Sequence, residues 1–282
     1  MSVEPEELGQ SGEELAALLK AVRKRSGLSG VRLAARCNMS QSKISRIEGG
    51  RVRASLVDVE QIFRACEAPP ELVAQAMALA RLAATEWQGA RGMRRKGLDK
   101  KQLELAGLEK ASTEFRFFLL SMITGLLSTP EYIRASLAHI PGDHSRTVAW
   151  KLERQQVLYD RSKRFTFLLT EQAIRWPLVG PDALAVQIDH LASLTHLPSV
   201  RLGVIPLDTQ VGPAPLNTFT VYDDRIATVE VSTGVMVFRD PRDVAAHLDE
   251  FAAFEERAHF GDEARELLQA TSGRLRHAAS DL

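Results

Sequence analysis

The sequence predicts an α+β protein: an N-terminal all-α domain of five helices, followed by a larger α/β domain with a small mixed sheet flanked by helices. Two observations lead to this prediction. Apolar residues recur at helical spacing up to about residue 82, whereas the first clear strand pattern comes much later, at Phe165–Thr170. The 282 residues exceed one ordinary domain, and 45% hydrophobic with 26% charged residues is typical of a globular protein.

The chain divides into four segments by composition and pattern. Residues 1–10 are acidic and polar, so we expect disorder there rather than a signal peptide. The longest apolar run, Phe117–Leu127, is interrupted by polar residues and is too short to span a bilayer. We therefore expect a cytoplasmic protein with no membrane partner. The other segments are a helical domain over residues 11–75, a helical and basic linker over 76–101, and the α/β domain over 102–282.

The most specific local pattern is LSGVRLAARCNMSQSKISRIEGGR in Leu28–Arg51, which follows a helix predicted over residues 11–25. Ser29 and Ser40 stand where the N-caps of two short helices belong. Asn38 tolerates the left-handed backbone that a tight turn between two helices requires. The pattern therefore predicts two short helices about one tight turn.

Two further helices complete the N-terminal domain. Ser55 and Asp58 match a capping box for the fourth helix. Pro70 can occupy the first turn of a fifth helix that runs towards Trp87. The connector 91–101, RGMRRKGLDKK, carries a run of cations and two glycines. It either contacts DNA phosphates or forms a solvated helix end.

The second helix of the predicted pair has one apolar and one polar face. Ile44 and Ile47, three residues apart, supply the apolar face. The other face carries small polar and cationic side chains that can hydrogen-bond base edges and phosphates, and a helix of this width fits the major groove of DNA. We expect base contacts from Gln41, Ser42 and Arg46, and phosphate contacts from Ser40, Lys43, Ser45, Arg51 and Arg53.

This segment resembles the helix-turn-helix of phage-repressor and Cro-like (XRE) regulators, with Leu33-Ala34 in the first helix and SQSKISRIEGG in the second. The resemblance implies a transcription regulator that binds double-stranded DNA. It also implies a structural ion pair between Arg23 and Glu48. Where relatives often place a Gln that contacts phosphate, this chain has Gly30.

One such helix reads only a few base pairs, so we expect a homodimer on a roughly palindromic site. The alternative is a helical hairpin that serves only for packing in a protein-interaction scaffold.

Charge and cysteine content fit a DNA-binding head. Ser11–Arg53 holds ten Lys/Arg and three Asp/Glu, a net charge of +7, although the whole chain is neutral. A basic head on an acidic body is typical of a DNA-reading module joined to a domain with another task. Cys37 and Cys66 are expected to be buried thiols in a reducing compartment, with a redox switch between them as the alternative.

The second domain is predicted to begin its sheet with a βαβ unit. A strand at Phe165–Thr170, a helix from Gly180 and a strand at Val200–Pro206 give two parallel strands. The next two runs, Phe219–Tyr222 and Ile226–Val231, flank a short polar turn and predict a hairpin. An edge strand and two amphipathic helices are expected to follow.

Several runs in the second domain resemble the WhiJ-like regulators of actinomycetes. They are GLLSTPEYIRASL, KLERQQVLYD, FTFLLTEQAIRWPLVGP, LPSVRLGVIPL, FTVYDD and FRDPRDVAAHLDEF. The resemblance implies a large domain without assigned chemistry that works with a small protein encoded by a neighbouring gene, in an antitoxin-like arrangement. In relatives, the residues that precede the GLL motif are often acidic, polar or Pro-Gly. In this chain the corresponding segment, FRFFLLSMITGLL, is more apolar.

No sequence motif for catalysis stands out. The seven histidines form no HExxH pair, and GxSxG, GxxxxGK[ST] and GxGxxG do not occur. We therefore predict no enzymatic activity, no catalytic residues, no metal and no cofactor. The alternatives are a ligand-sensing helix-turn-helix regulator and an enzyme of unrecognised type fused to a helix-turn-helix.

Two segments are candidates for binding the partner protein. Leu207–Asn217 is a long loop between strands, and Phe115–Leu127 carries more apolar side chains than one helix face can hide. These segments either rim a groove for a small partner or, in the case of Phe115–Leu127, lie in the core of the domain. We expect residues 102–282 to bind the partner and to change DNA affinity when it is bound.

Overall fold

The computed structural model describes residues 7–89, 107–210, 212 and 214–280. By its contacts the chain forms two compact units. The first comprises the residues up to Gln88 together with Met236–Asp240, and the second comprises Gly89–Val235 and the residues from Pro241 onwards. The predicted α+β class is confirmed, with a helical N-terminal region and a larger domain built on a mixed sheet.

The first unit contains the five predicted helices. They surround one apolar core in which Leu19, Leu33, Ile44, Val59 and Phe63 are at most 1% exposed. The helices are α1 (Glu7–Arg25), α2 (Gly30–Arg36), α3 (Gln41–Glu48), α4 (Leu56–Ala65) and α5 (Pro70–Ala84).

The limits of this unit differ from the prediction at both ends. Helix α1 begins at Glu7, so residues 7–10 are helical and the expected disorder is wrong for them. At the other end the core continues past residue 75, since alanines on the next turns of α5 are also buried. They are Ala76, Ala80 and Ala83.

The fifth helix, which the sequence predicts to run towards Trp87, ends at Ala84. Residues Thr85–Gly89 form a short strand, β1, that pairs with β7 (Gly234–Phe238). The backbone N–H of Arg239 donates to the carbonyl of Ala84 at 3.2 Å. Non-local backbone pairing thus overrides the helical pattern at Thr85–Gly89. The basic connector 91–101 lies outside the described residues.

The sheet of the second unit runs in the order β6-β5-β2-β3-β4-β8. Strands β2, β3 and β4 are parallel, while the other pairings are antiparallel. The predicted parallel pair is therefore confirmed as β3 and β4, and the predicted hairpin as β5 and β6. The bounds are β2 Glu114–Leu119, β3 Arg164–Thr170, β4 Val200–Ile205, β5 Thr218–Tyr222, β6 Ile226–Val231 and β8 His259–Phe260.

Helices cover both faces of this sheet. On one face Phe115 and Phe117 stack on Phe165 and Phe167, beneath apolar residues of α9 (Pro181–Leu194) and α11 (Gly261–Ser280). On the other face Phe118 stacks on aromatic residues of β5 and α10 (Pro241–Glu255). The helices are α6 (Pro130–Leu137), α7 (Ser145–Arg154), α8 (Glu171–Arg175), α9 (Pro181–Leu194), α10 (Pro241–Glu255) and α11 (Gly261–Ser280). Gly125–Leu127 and Gln155–Tyr159 are short 3-10 helices.

The apolar run Phe115–Leu127 lies mostly in the core of the second unit, which is one of the two interpretations that its sequence allows. It supplies β2, which lies between β3 and β5. A strand covered on both faces needs apolar side chains at successive positions, which explains the continuous run. Most of its large side chains are therefore unavailable to rim a groove, although Met122, just beyond β2, is 41% exposed.

Candidate nucleic-acid interface

The helix pair α2 and α3 is built by local hydrogen bonds that the sequence predicted. The Ser29 hydroxyl accepts from the backbone N–H of Arg32 at 3.2 Å, and the Ser40 hydroxyl accepts from that of Lys43 at 3.1 Å. Asn38 adopts a positive φ of 52° in the turn. Each helix thus begins on a serine N-cap.

Helix α3 buries its predicted apolar face and exposes its predicted polar face. Ile44 and Ile47 are each 1% exposed. The three residues assigned to base contacts, Gln41, Ser42 and Arg46, are exposed, and Arg46 Nε donates to the carbonyl of Ser42 at 3.3 Å. Their exposure makes them accessible to a DNA groove, while their contacts with bases remain predictions.

Arg23 and Glu48 form a two-point ion pair between α1 and the end of α3. Arg23 Nε donates to Glu48 Oε1 at 2.6 Å and Nη2 donates to Oε2 at 2.8 Å. Arg23 Nη1 also donates to the carbonyl of Leu28 at 3.0 Å. The side chains are 16% and 11% exposed, and the hydrogen bond to Glu48 raises the pKa of Arg23. This geometry fixes the last turn of α3 against α1.

The residues expected to contact phosphates occupy two different environments. Ser40, Ser45, Arg51 and Arg53 are exposed. Lys43 is half-buried, and its ammonium group lies 2.7 Å from Asp58 Oδ1 of α4. The capping box of Asp58 with Ser55 is confirmed, but the pairing with Lys43 was not foreseen. The two residues are fifteen positions apart in different helices, so no local pattern indicates the contact.

Val31 at the start of α2 is exposed, whereas the cysteines at the ends of α2 and α4 are buried. Val31, whose apolar side chain favours burial, is 67% exposed because it lies on the outer side of the first turn of α2. Cys37 is buried as expected, and so is Cys66 at the end of α4; both are free thiols. Burial raises the pKa of each thiol above its ordinary value, which disfavours the reactive thiolate.

Comparison with known families identifies both parts of the chain. A family described as a helix-turn-helix domain matches residues 14–76. A second family, described as a domain of unknown function (DUF5753), matches residues 102–270, more than half of the chain. The chain therefore belongs to the DUF5753 family and carries an N-terminal helix-turn-helix domain. This domain supports a DNA-binding regulator. No curated protein matches the sequence.

Solved structures show distant likenesses. TrmBL2, an archaeal chromatin protein, is 12% identical with a TM-score of 0.35 over 63% of this chain. The chain spans about half the length of TrmBL2, namely 53%. NucT from Helicobacter pylori is 10% identical (TM-score 0.37), and Nuc, a phospholipase D family member from Salmonella typhimurium, is 12% identical (TM-score 0.36). The matches to NucT and Nuc each cover 63% of this chain and 98% of the other chain. Likenesses at these scores carry no functional argument.

Two negative observations hold for the described parts of the chain. Among the residues that the structure describes, no helix is both long and apolar enough to cross a membrane. Within the same ranges, no three His, Cys, Asp or Glu side chains come together in a way that could hold a metal ion.

Proposed function

We propose that the protein is a sequence-specific transcription regulator of the Cro-like (XRE) type that reads double-stranded DNA through α3. The observation that carries this proposal is the exposed polar face of α3, on a helix with two buried isoleucines and a two-point ion pair at its end. A helix held in this way can present side chains to the major groove in a fixed register.

The roles within the interface follow from exposure and chemistry. Arg46 can donate two hydrogen bonds to a guanine, and Gln41 and Ser42 precede it on the same exposed face. Ser40, Ser45, Arg51 and Arg53 are proposed to hold the phosphate backbone and thereby set the register. The N–H of Arg51 donates to the carbonyl of Arg46 at 2.9 Å, which ties the segment after α3 to that helix.

The binding unit is proposed to be a homodimer, because one copy of α3 spans only a few base pairs. The test is a band shift with the full chain on the DNA upstream of its own gene, against a scrambled duplex of equal length. A shift that survives competition by the scrambled duplex supports the proposal. Failure to shift either duplex would favour a scaffold that uses the helix pair only for packing. Equal affinity for both duplexes would contradict sequence-specific reading.

The second domain is proposed to bind a small protein encoded by a neighbouring gene, in the antitoxin-like manner of WhiJ-like regulators. Exposed apolar side chains support a protein partner. Met122 follows β2, Leu207 follows β4, and Leu216 precedes β5, which is antiparallel to β2. Because β2 and β4 run parallel within one sheet, all three positions lie near the same sheet edge. Binding there is proposed to change DNA affinity.

We also propose that this domain acts by binding rather than by catalysis, because the sequence carries none of the catalytic motifs considered above. Co-purification of the full chain with the neighbouring protein, followed by band shifts with and without it, tests the partner. A small molecule retained on the purified chain, with no protein association, would replace the partner by a ligand. Turnover of such a molecule would establish an enzyme.

A further inference from the structure

Asp58 joins the helix proposed to read DNA to the start of the next helix. Its Oδ1 lies 2.7 Å from Lys43 Nζ, and its Oδ2 accepts from the backbone N–H of Ser55 at 3.1 Å. The backbone N–H of Asp58 in turn donates to the Ser55 hydroxyl at 3.1 Å. Both carboxylate oxygens are thus engaged, one within α4 and one on α3.

Helix α3 is therefore held at both ends by ion pairs to other helices. Glu48 in its last turn binds Arg23 of α1, and Lys43 in its first turn binds Asp58 of α4. The helix has only eight residues, and a helix this short has little stability of its own. Contacts with other helices therefore have to orient it, and the two pairs and the buried isoleucines between them supply such contacts.

The burial of the two partners shows why Lys43 stays with Asp58. The Asp58 side chain is 10% exposed and that of Lys43 is 39% exposed. If Lys43 turned to a phosphate, a nearly buried carboxylate would lose its counter-charge. The phosphate would also approach that carboxylate, and like charges repel at short distance.

We infer that Asp58 and Lys43 are positioning residues that set the direction of α3, and that Lys43 does not neutralise a DNA phosphate. The inference rests on the proposed DNA-binding function and deepens it. It reassigns Lys43 from the expected phosphate contacts, because its charge is paired across two helices. Discrimination between DNA sequences then depends on a residue pair that touches no base.

The test is the full-length double variant Lys43→Met/Asp58→Asn, which removes the pair without changing net charge. Asparagine keeps a side-chain oxygen that can accept from Ser55, so the capping box is retained. Affinities of wild type and variant are measured on a duplex selected from a random library by the wild type and on a scrambled duplex. Each is measured over a series of salt concentrations, which gives the affinity ratio and the salt slope.

We expect the affinity ratio between the selected and scrambled duplexes to fall about fivefold, because misdirected base contacts lose part of their discrimination. The salt slope should stay unchanged, because no phosphate contact is lost. A slope reduced by about one would show that Lys43 neutralises a phosphate and would overturn the inference. An unchanged affinity ratio between the selected and scrambled duplexes would also overturn the inference.

Two controls separate positioning from a general loss of structure. Lys43→Arg keeps a cation opposite Asp58 and should retain the wild-type ratio. Glu60→Gln/Arg64→Met removes an exposed pair on α4, also without net charge change, and should alter neither quantity. If the wild type itself shows no preference for the selected duplex, the proposed function fails as well. If the wild type prefers the selected duplex and the double variant shows the same preference, the inference alone fails.

Discussion

The side-chain contacts of α3 show which features a local pattern can predict. The N-caps Ser29 and Ser40 and the turn residue Asn38 were predictable because each acts on backbone within three residues of itself. The pairing of Lys43 with Asp58 was not predictable, because it depends on how two helices approach each other. The position of the Arg23–Glu48 pair came from family resemblance, since twenty-five residues separate its partners.

The Arg23–Glu48 pair should stabilise the first unit. Arg23→Ala or Glu48→Ala leaves a partly buried charge without its partner, so each should cost up to about 3 kcal/mol of local stability. Hydrogen exchange of the α3 amides in the full chain, with both single variants and the double variant, measures this cost. The double variant should cost clearly less than the sum of the singles.

The control for this cycle is the exposed Glu60–Arg64 pair, whose side chains are 54% and 79% exposed. Its coupling should be close to zero because water screens both charges. Strict additivity of the Arg23 and Glu48 substitutions would show that their pairing does not stabilise α3.

The two cysteines should be unreactive in the folded protein. Cys37 and Cys66 are 5% and 8% exposed, and burial raises the pKa of both thiols. We expect a thiol reagent at neutral pH to modify neither until the chain is unfolded by denaturant. Rapid modification of either thiol under native conditions, or formation of a disulfide by a mild oxidant, would support a redox switch between the two cysteines.

Among the elements, β2 is the longest strand that the sequence did not predict. The βαβ pair and the hairpin were predictable because turn residues separate alternating or short apolar runs. The run around Phe115 has no alternation, because neighbouring strands and helices cover both of its faces. Periodicity alone cannot distinguish such a strand from a buried helix.

The position of Phe118 in this strand gives a stability prediction. Its ring is fully buried and stacks on Phe254 at 4.3 Å and on Phe219 at 5.4 Å between centroids. Phe118→Ala should lower the free energy of unfolding of the second unit by about 3–5 kcal/mol, through lost burial and a cavity. Urea denaturation followed by circular dichroism measures the effect. Met122→Ala, at a half-exposed site nearby in the chain, is the control and should change little.

The hairpin tip between β5 and β6 gives a prediction for pH. Asp223 Oδ1 accepts from the backbone N–H groups of Thr113 and Glu114 at 2.9 and 3.0 Å, and Oδ2 accepts from Arg225 at 3.0 Å. Burial raises the pKa of Asp223, but these hydrogen bonds outweigh it, so its pKa lies below the ordinary value. The charged form therefore stabilises the fold above the unfolded-state pKa of about 4, and this contribution is lost as pH falls through the folded-state pKa.

Asp223→Asn should accordingly lower stability at pH 5–7, and its difference from wild type should shrink below about pH 4. Chemical denaturation at a series of pH values measures this difference. Asp224→Asn, at the exposed neighbouring position, serves as the control. A difference that stays constant down to pH 2 would show that the charge of Asp223 does not stabilise the hairpin tip.

At the scale of the whole molecule, the charge pattern agrees with the division into two units. The basic block Ser11–Arg53 lies within the first unit, whereas the acidic remainder includes all of the DUF5753 domain. Composition could therefore predict that the chain has a basic and an acidic part. It could not predict the exact limits of the units, because β1 and β7 pair across about 150 residues of chain.

The central claim is that α3 reads DNA sequence, and Arg46 tests it most directly. The affinities of wild type, Arg46→Ala and Arg64→Ala for a selected duplex, and for single-base variants of it, are compared at one salt concentration. Both substitutions remove one exposed arginine of the first unit, but only Arg46 lies on α3. We predict that Arg46→Ala costs about 1–3 kcal/mol and relaxes the preference at one base position, whereas Arg64→Ala does neither. Unchanged discrimination at every position in Arg46→Ala would contradict the account.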